Sequence, residues 1–256
     1  MEALKPTNTS WRVIPLQEHS GPMNMALDEA VSETVRARLT PPTIRFYSWK
    51  PSCVSIGYHQ SLQEEVNTDE CQARGLEVVR RLTGGGAVFH DSLGEITYSV
   101  IAPDGLFPRD IIASYREICG WIIDGLAKLG VKSEFKPIND VIVNGKKVSG
   151  NAQTRRGGVL HQHGTILYGL DVRTMFSVLK VSKEKISDKA IKSVEERVTC
   201  LSRECGATKQ ECYEALLASF TAGKEFSFGN FSQAEMQRAL QLAKEKYSAP
   251  QWNARR

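Results

Sequence analysis

Residues 80 to 91 read Arg80-Arg81-Leu82-Thr83-Gly84-Gly85-Gly86-Ala87-Val88-Phe89-His90-Asp91, with three successive glycines between two segments of strand character. Adjacent glycines cost conformational entropy, so this stretch points to a backbone that something must approach closely. Amides of such a loop can cradle an anion, and the neighbouring arginines add positive charge. The competing reading is a wide turn between strands, against which Arg81 and His90 at the flanks favour a binding role. No Gly-Lys-Ser/Thr follows, which excludes a P-loop, and the GxGxxG spacing of a dinucleotide site is absent.

Outward from this loop the pattern is strand-rich. Val78-Val79 and Ala87 to Phe89 flank it, and Glu95 to Ile101 follows. Thr43 to Trp49 alternates, with Ile44 and Phe46 on one face and Arg45 and Tyr47 on the other, and Cys53 to Gly57 reads as another strand. Met23, Ala26, Leu27, Ala30, Val31 and Val35 recur at helical spacing until Pro41-Pro42. A second helix, from about Ser114 to Leu129, stops at Gly130. Beyond Tyr168 the chain turns helical, with capping boxes at Thr208/Glu211 and Ser232/Glu235.

Asn144-Gly145 is a strong signal for a two-residue type I′ hairpin. Pairing Val143 with Lys146 puts Val141, Val143 and Val148 on one face, and Asp140, Ile142, Lys147 and Ser149 on the other. Lys147 therefore faces the same way as Asp140. The pair reads either as a surface ion pair or as a cation that polarises a carbonyl or phosphate beside an orienting carboxylate. A strand from Val159 to Tyr168 places His161 and His163 on a common face. No nearby cysteine or carboxylate completes a zinc site in the sequence, so one histidine is expected as a pocket wall and the other as solvated.

The chain has 256 residues, 41% of them apolar, which suffices for a large core. Lys and Arg number 33 against 29 Asp and Glu, too small an excess for a dedicated nucleic-acid binder. Met1 to Ser10 carry no apolar leader segment, no run reaches membrane-spanning length, and the six cysteines form no CxxC pairs. These features predict a cytoplasmic protein with reduced thiols, bound to neither membrane nor nucleic acid.

The glycine loop, Asn139-Asp140, the run Gly145-Lys146-Lys147-Val148-Ser149-Gly150-Asn151-Ala152 and His163-Gly164-Thr165 together resemble the catalytic domain of lipoate-protein ligases. The likeness continues through Arg197-Val198-Thr199 to Trp252-Asn253, nearly the whole chain. Biotin ligases belong to the same superfamily, but their glycine-arginine loop pattern is absent. The resemblance implies an α/β (α+β) fold with a mixed central sheet flanked by helices. It also implies kinship with class II aminoacyl-tRNA synthetases and biotin ligase catalytic domains, across residues 1–256. The reaction it implies has two steps: lipoate and MgATP give lipoyl-adenylate, and a lysine of an acidic lipoyl-carrier domain then takes the acyl group.

Matched residue by residue, Lys147 is the catalytic group, contacting phosphate and acyl carbonyl. Arg81 and the backbone of Gly84, Gly85, Gly86, Ala87, Val88 and Phe89 would hold the nucleotide and acyl group, with Val79 and Val88 as apolar wall. His90, Asn139, Asp140 and His163 would line the same pocket, Asp140 also offering a carboxylate to Mg²⁺.

The sequence departs from that family in two ways. The small C-terminal accessory domain of full-length ligases is missing, which leads one to expect a separate accessory ligase subunit. Related octanoyl or lipoyl transferases work without ATP through a cysteine nucleophile. Here no cysteine lies between Cys119 and Cys200, so the positions before Asn139-Asp140 and around Ile191 are empty of thiol. Cys200 is the remaining candidate. Three functions stand open at this point: ATP-dependent ligase as the main expectation, cysteine-dependent acyltransferase as the alternative, and a non-catalytic lipoate-binding module as the third.

Overall fold

The computed structural model describes residues 9–180 and 188–256, with the side chains of all of these except 188–191. The Ile191 position considered for a nucleophile lies outside the described side chains. In chain order the elements are β1 (Trp11–His19), α1 (Gly21–Arg36), β2 (Thr43–Trp49), β3 (Cys53–Ile56), α2 (Leu62–Glu65), α3 (Thr68–Ala73), β4 (Glu77–Arg80), β5 (Val88–His90) and β6 (Glu95–Pro103). There follow α4 (Ile111–Lys128), β7 (Ser133–Lys136), β8 (Asp140–Val143), β9 (Lys146–Arg156), β10 (Val159–Leu167), α5 (Val172–Val178) and α6 (Asp188–Glu195). The last are α7 (Leu201–Glu204), α8 (Lys209–Thr221), β11 (Phe226–Phe228), α9 (Gln233–Leu242) and α10 (Pro250–Asn253).

Eight strands form one mixed sheet in the order β11-β1-β2-β6-β10-β9-β8-β7, and β4-β3-β5 form a second, small sheet. The period-2 pattern assigns the faces of the large sheet. Ile44 and Phe46 of β2, with Ile96, Tyr98 and Val100 of β6, join Ile118, Ile122 and Leu126 of α4 and Leu216 and Phe220 of α8 in the main core. Arg45, Tyr47 and Trp49 of β2 point to the opposite face, beneath α1 and the small sheet, as do Glu95, Thr97 and Ser99 of β6. Every residue of β2 is buried, because both faces are covered.

Local chemistry starts and stops the helices as expected. Ser20 caps α1 by accepting from the Met23 amide, with Pro22 in the first turn, and Gly130 (φ +75°) ends the helix that Asp110 begins. Both sequence-read capping boxes form. No helix among the described residues is long and apolar enough to cross a membrane.

The β8–β9 hairpin follows the expected register at its tip. Asn144 and Gly145 both have positive φ (51° and 76°), Val143 faces Lys146 and Ile142 faces Lys147. One residue further, the pairing shifts: Val141 faces Ser149, leaving Val148 as the extra residue of a bulge. The bulge lets Val148 and Ser149, adjacent in the chain, both be buried.

Candidate active site

Between the polar face of the large sheet and the small sheet lies a cavity of about 330 Å³, in the range of small-molecule sites. Its wall is largely apolar, with Trp49, Val88, Phe89, Leu167, Met175 and Leu179 among the contributors. Of the residues read from the sequence, Arg81, Gly85, Gly86, Ala87, Val88, Phe89, His90, Asn139, Lys147 and His163 all line it. Gly84 does not; its carbonyl accepts from the Arg81 guanidinium at 2.8 Å. Asp140 stands behind Lys147 rather than on the wall, and Val79 is consumed by the core between α1 and α9.

The glycine loop is held from three sides. Arg81 is buried and donates to the carbonyls of Ser55, Gly84 and Gly86. Burial pulls its pKa down to about 10, which leaves it charged at neutral pH. The Thr83 carbonyl accepts from the Tyr58 amide, and the Thr83 hydroxyl meets His163 Nε2 at 2.7 Å. Gly57 packs directly on the loop, since a Cβ there would stand 2.1 Å from the Gly85 carbonyl oxygen. Gly85 has φ +92°, a conformation that side chains disfavour, whereas a Cβ on Gly84 would meet open space.

These contacts make different predictions for different glycines. Gly57→Ala should displace the Gly85 carbonyl and lower the activity of the site by roughly a hundredfold, the scale of an ångström-sized misplacement at a reacting centre. Gly84→Ala should stay within a few-fold of wild type. Steady-state rates for the two purified variants check this, and equal rates would show the loop to be a passive turn.

Lys147 projects from β9 to form an ion pair with Asp140, Nζ to Oδ1 2.7 Å. Room for it comes from Gly150, where a Cβ would lie 2.7 Å from Lys147 Nζ. Its backbone is fixed by the Arg197 carbonyl and the Thr199 amide, which tie β9 to the Arg197-Val198-Thr199 segment. Asn139 is clamped beside it: Asn151 Nδ2 donates to the Asn139 carbonyl at 2.8 Å, and the Asn139 side chain donates to the Asn151 carbonyl. Asp140 supplies one carboxylate, already engaged by the Lys147 ammonium, and among the described residues it belongs to no group of three or more metal-ligating side chains.

His161 and His163 depart from expectation. A carboxylate does lie beside them: Asp28 of α1 is 3.2 Å from His161 Nε2 and 3.9 Å from His163 Nδ1, and all three residues are buried. Its oxygens are already taken by Arg45 (2.8 Å) and the Ser99 hydroxyl (2.7 Å), and the guanidinium repels a metal cation. His161 is thus a partner of a buried ion pair rather than a solvated ring. Burial, reinforced by His161, holds the His163 pKa well below its ordinary value, so His163 is a neutral wall residue.

Sequence reading missed Ser55, Trp49, Glu95 and Asp28. The only local signal was a lone polar residue in the strand Cys53-Val54-Ser55-Ile56 and a carboxylate opening the otherwise uncharged strand at Glu95. Cysteine is absent from the wall altogether: none of the six lines the cavity. Cys200 is buried at the N-cap of α7, with Sγ 3.5 Å from the Ser202 hydroxyl.

Known proteins place this arrangement. The model of the lipoyl protein ligase A/B catalytic domain matches residues 20–221. The octanoyltransferase LipM of Brevibacillus brevis is 34% identical over 275 residues, covering 96% of this chain and 99% of the relative. That of Symbiobacterium thermophilum is 34% identical over 97% of this chain and 99% of its own length. Among solved structures, a bi-partite lipoate protein ligase of an archaeal lipoylation system, from Thermoplasma acidophilum, superposes with TM-score 0.84 at 32% identity, over 96% of this chain and 97% of that one.

The curated octanoyltransferases overturn the expectation of an ATP-dependent, adenylate-forming ligase. The physical reason is that a glycine loop, an apolar cavity and a lysine serve any acyl transfer to an amine, whichever leaving group the acyl carries. Nor do these relatives support an accessory subunit, since this chain matches 99% of their length. The chain belongs to the lipoyl protein ligase A/B catalytic-domain family, enzymes that handle lipoyl or related acyl groups.

Proposed function

We propose that this protein moves a medium-chain acyl group, octanoyl or lipoyl, from a thioester donor to the ε-amine of a lysine on an acidic lipoyl-carrier domain. In the transfer the acyl C–S bond breaks, a C–N amide bond forms and a thiol leaves. The observation that carries this reading is one apolar cavity with a fixed ammonium, Lys147, and the glycine-loop backbone on its wall. Apolar surface holds the chain at about 0.8 kcal/mol per buried methylene. Lys147 and loop amides stabilise the oxyanion that develops as the amine attacks. The near-complete match to octanoyltransferases favours a thioester as the donor.

The test offers an apo lipoyl domain with either octanoyl thioester and no nucleotide, or free octanoate or lipoate with MgATP. Octanoylation of the domain is expected in the first arm. Modification that occurs only with ATP would overturn the proposal. In the same assay Cys200→Ser should transfer at the wild-type rate, because its thiol lies off the cavity wall. An acyl thioester trapped on Cys200 would return the reaction to a cysteine mechanism.

A further inference from the structure

Ser55, His90 and Glu95 stand on three different strands, all line the cavity, and are joined end to end. Ser55 Oγ is 2.7 Å from His90 Nε2, and His90 Nδ1 is 2.7 Å from Glu95 Oε1. An ionised carboxylate can only accept, so Nδ1 carries the imidazole proton and Nε2 is left to accept from the serine hydroxyl. The imidazole cannot swing away. Trp49 stacks on it with ring centroids 3.9 Å apart and planes 17° from parallel. Glu95 is held in turn by the Thr97 hydroxyl at 2.9 Å, and Thr97 by Trp49 Nε1 at 2.9 Å. Finally, Arg81 donates to Ser55 Oγ at 3.1 Å, placing a positive charge beside the oxygen as it loses its proton.

This is the geometry of an activated hydroxyl: nucleophile, base and orienting carboxylate in sequence, recognised by distances and roles rather than by order in the chain. It occurs in a cavity that holds no thiol. We infer that Ser55 is the acyl-accepting nucleophile, an inference that rests on the acyl-transfer reading above. Ser55 Oγ attacks the thioester carbonyl while its proton passes to His90 Nε2. The C–S bond breaks and the departing thiolate takes that proton, leaving an acyl ester on Ser55. The neutral amine of the carrier lysine then attacks the ester. Its proton passes through His90 to Ser55 Oγ as the C–O bond breaks, which restores the free hydroxyl and gives the amide.

The experiment mixes the whole protein with octanoyl-acyl carrier protein in the absence of acceptor, quenches in acid and locates the adduct by peptide mass spectrometry. An octanoyl ester on the Ser55 peptide is expected. Ser55→Ala should lose the adduct and reduce transfer to an apo lipoyl domain by at least about a thousandfold, the scale of removing a nucleophile. Ser55→Cys should carry the acyl group as a thioester cleaved by neutral hydroxylamine, which a purely structural Ser55 would not do, and this arm decides the matter if Ser55→Ala folds poorly. Wild-type transfer by Ser55→Ala, or an adduct on another residue, would overturn the Ser55 step alone. Failure of the wild type to consume the thioester in the presence of acceptor would overturn the acyl-transfer reading and this step with it.

Discussion

Lys147→Ala should lose the proposed acyl transfer by about a hundredfold or more while keeping the stability of the wild type. The first half follows from electrostatics. A fixed cation on a largely apolar wall stabilises developing negative charge without reorganising, and removing such a group typically costs about 3–4 kcal/mol in the barrier. The second half follows from exposure. The Lys147 side chain is 41% exposed and its partner Asp140 29%, so the ion pair is largely screened and contributes about 0–1 kcal/mol to folding. Backbone bonds to Arg197 and Thr199 hold β9 in place whatever the side chain. Lys147→Arg should not rescue, because a planar guanidinium is longer and would press on Gly150 and Asp140 where a compact ammonium fits. Single-turnover octanoyl transfer together with urea unfolding separates the two halves. A variant that transfers at half the wild-type rate removes Lys147 from the chemistry, and one that fails to fold removes the argument from exposure.

How much of this was legible beforehand depended on how local the determining interactions are. The hairpin register at Val143/Lys146 and the shared face of Asp140 and Lys147 came from two turn residues, because a type I′ turn sets which residues face each other. The bulge at Val148 was hidden, since it answers to burial of two adjacent side chains against elements distant in sequence. The glycine loop announced a binding role, but not that Gly57, 28 positions before Gly85, is what presses on it. Asp28 reads as one charged residue on a helix face, and nothing near it in the sequence says that Arg45, Ser99 and His161 converge on it. Arg45 itself was placed on the correct face of β2 by alternation, without its partner. The reaction was the least legible part. A glycine loop and a lysine can serve an adenylating ligase and a thioester-dependent transferase alike, and the residues that could tell them apart lie among buried polar groups whose meaning is geometric.

That buried polar layer underlies the largest effect on stability expected here. Asp28→Ala should lower unfolding free energy by about 3–5 kcal/mol, the scale of stranding one partner of a buried pair. Arg45 is 1% exposed, and besides Asp28 its guanidinium reaches the Asn24 carbonyl and side chain and the faces of Tyr47 and Phe231. No other carboxylate among the described residues pairs with it, so without Asp28 its charge is left without that counterion. Burial alone would raise the Asp28 pKa, but Arg45 first, then His161 and His163, outweigh it and hold the carboxyl well below the ordinary range. A depressed folded-state pKa means that this stabilisation is fully present above the unfolded value of about 3.9 and is lost as pH falls through the folded value. Wild type should therefore lose this contribution only in strong acid, and Asp28→Ala should be weakened across the neutral range as well. Urea midpoints should fall by about 1–2 M at pH 7. Adding Arg45→Met to Asp28→Ala should recover a substantial part of the loss, since removing both charges leaves neither one stranded. If the two substitutions are instead simply additive, the guanidinium and the carboxylate are not coupled, and the tie between α1 and β2 rests on packing alone.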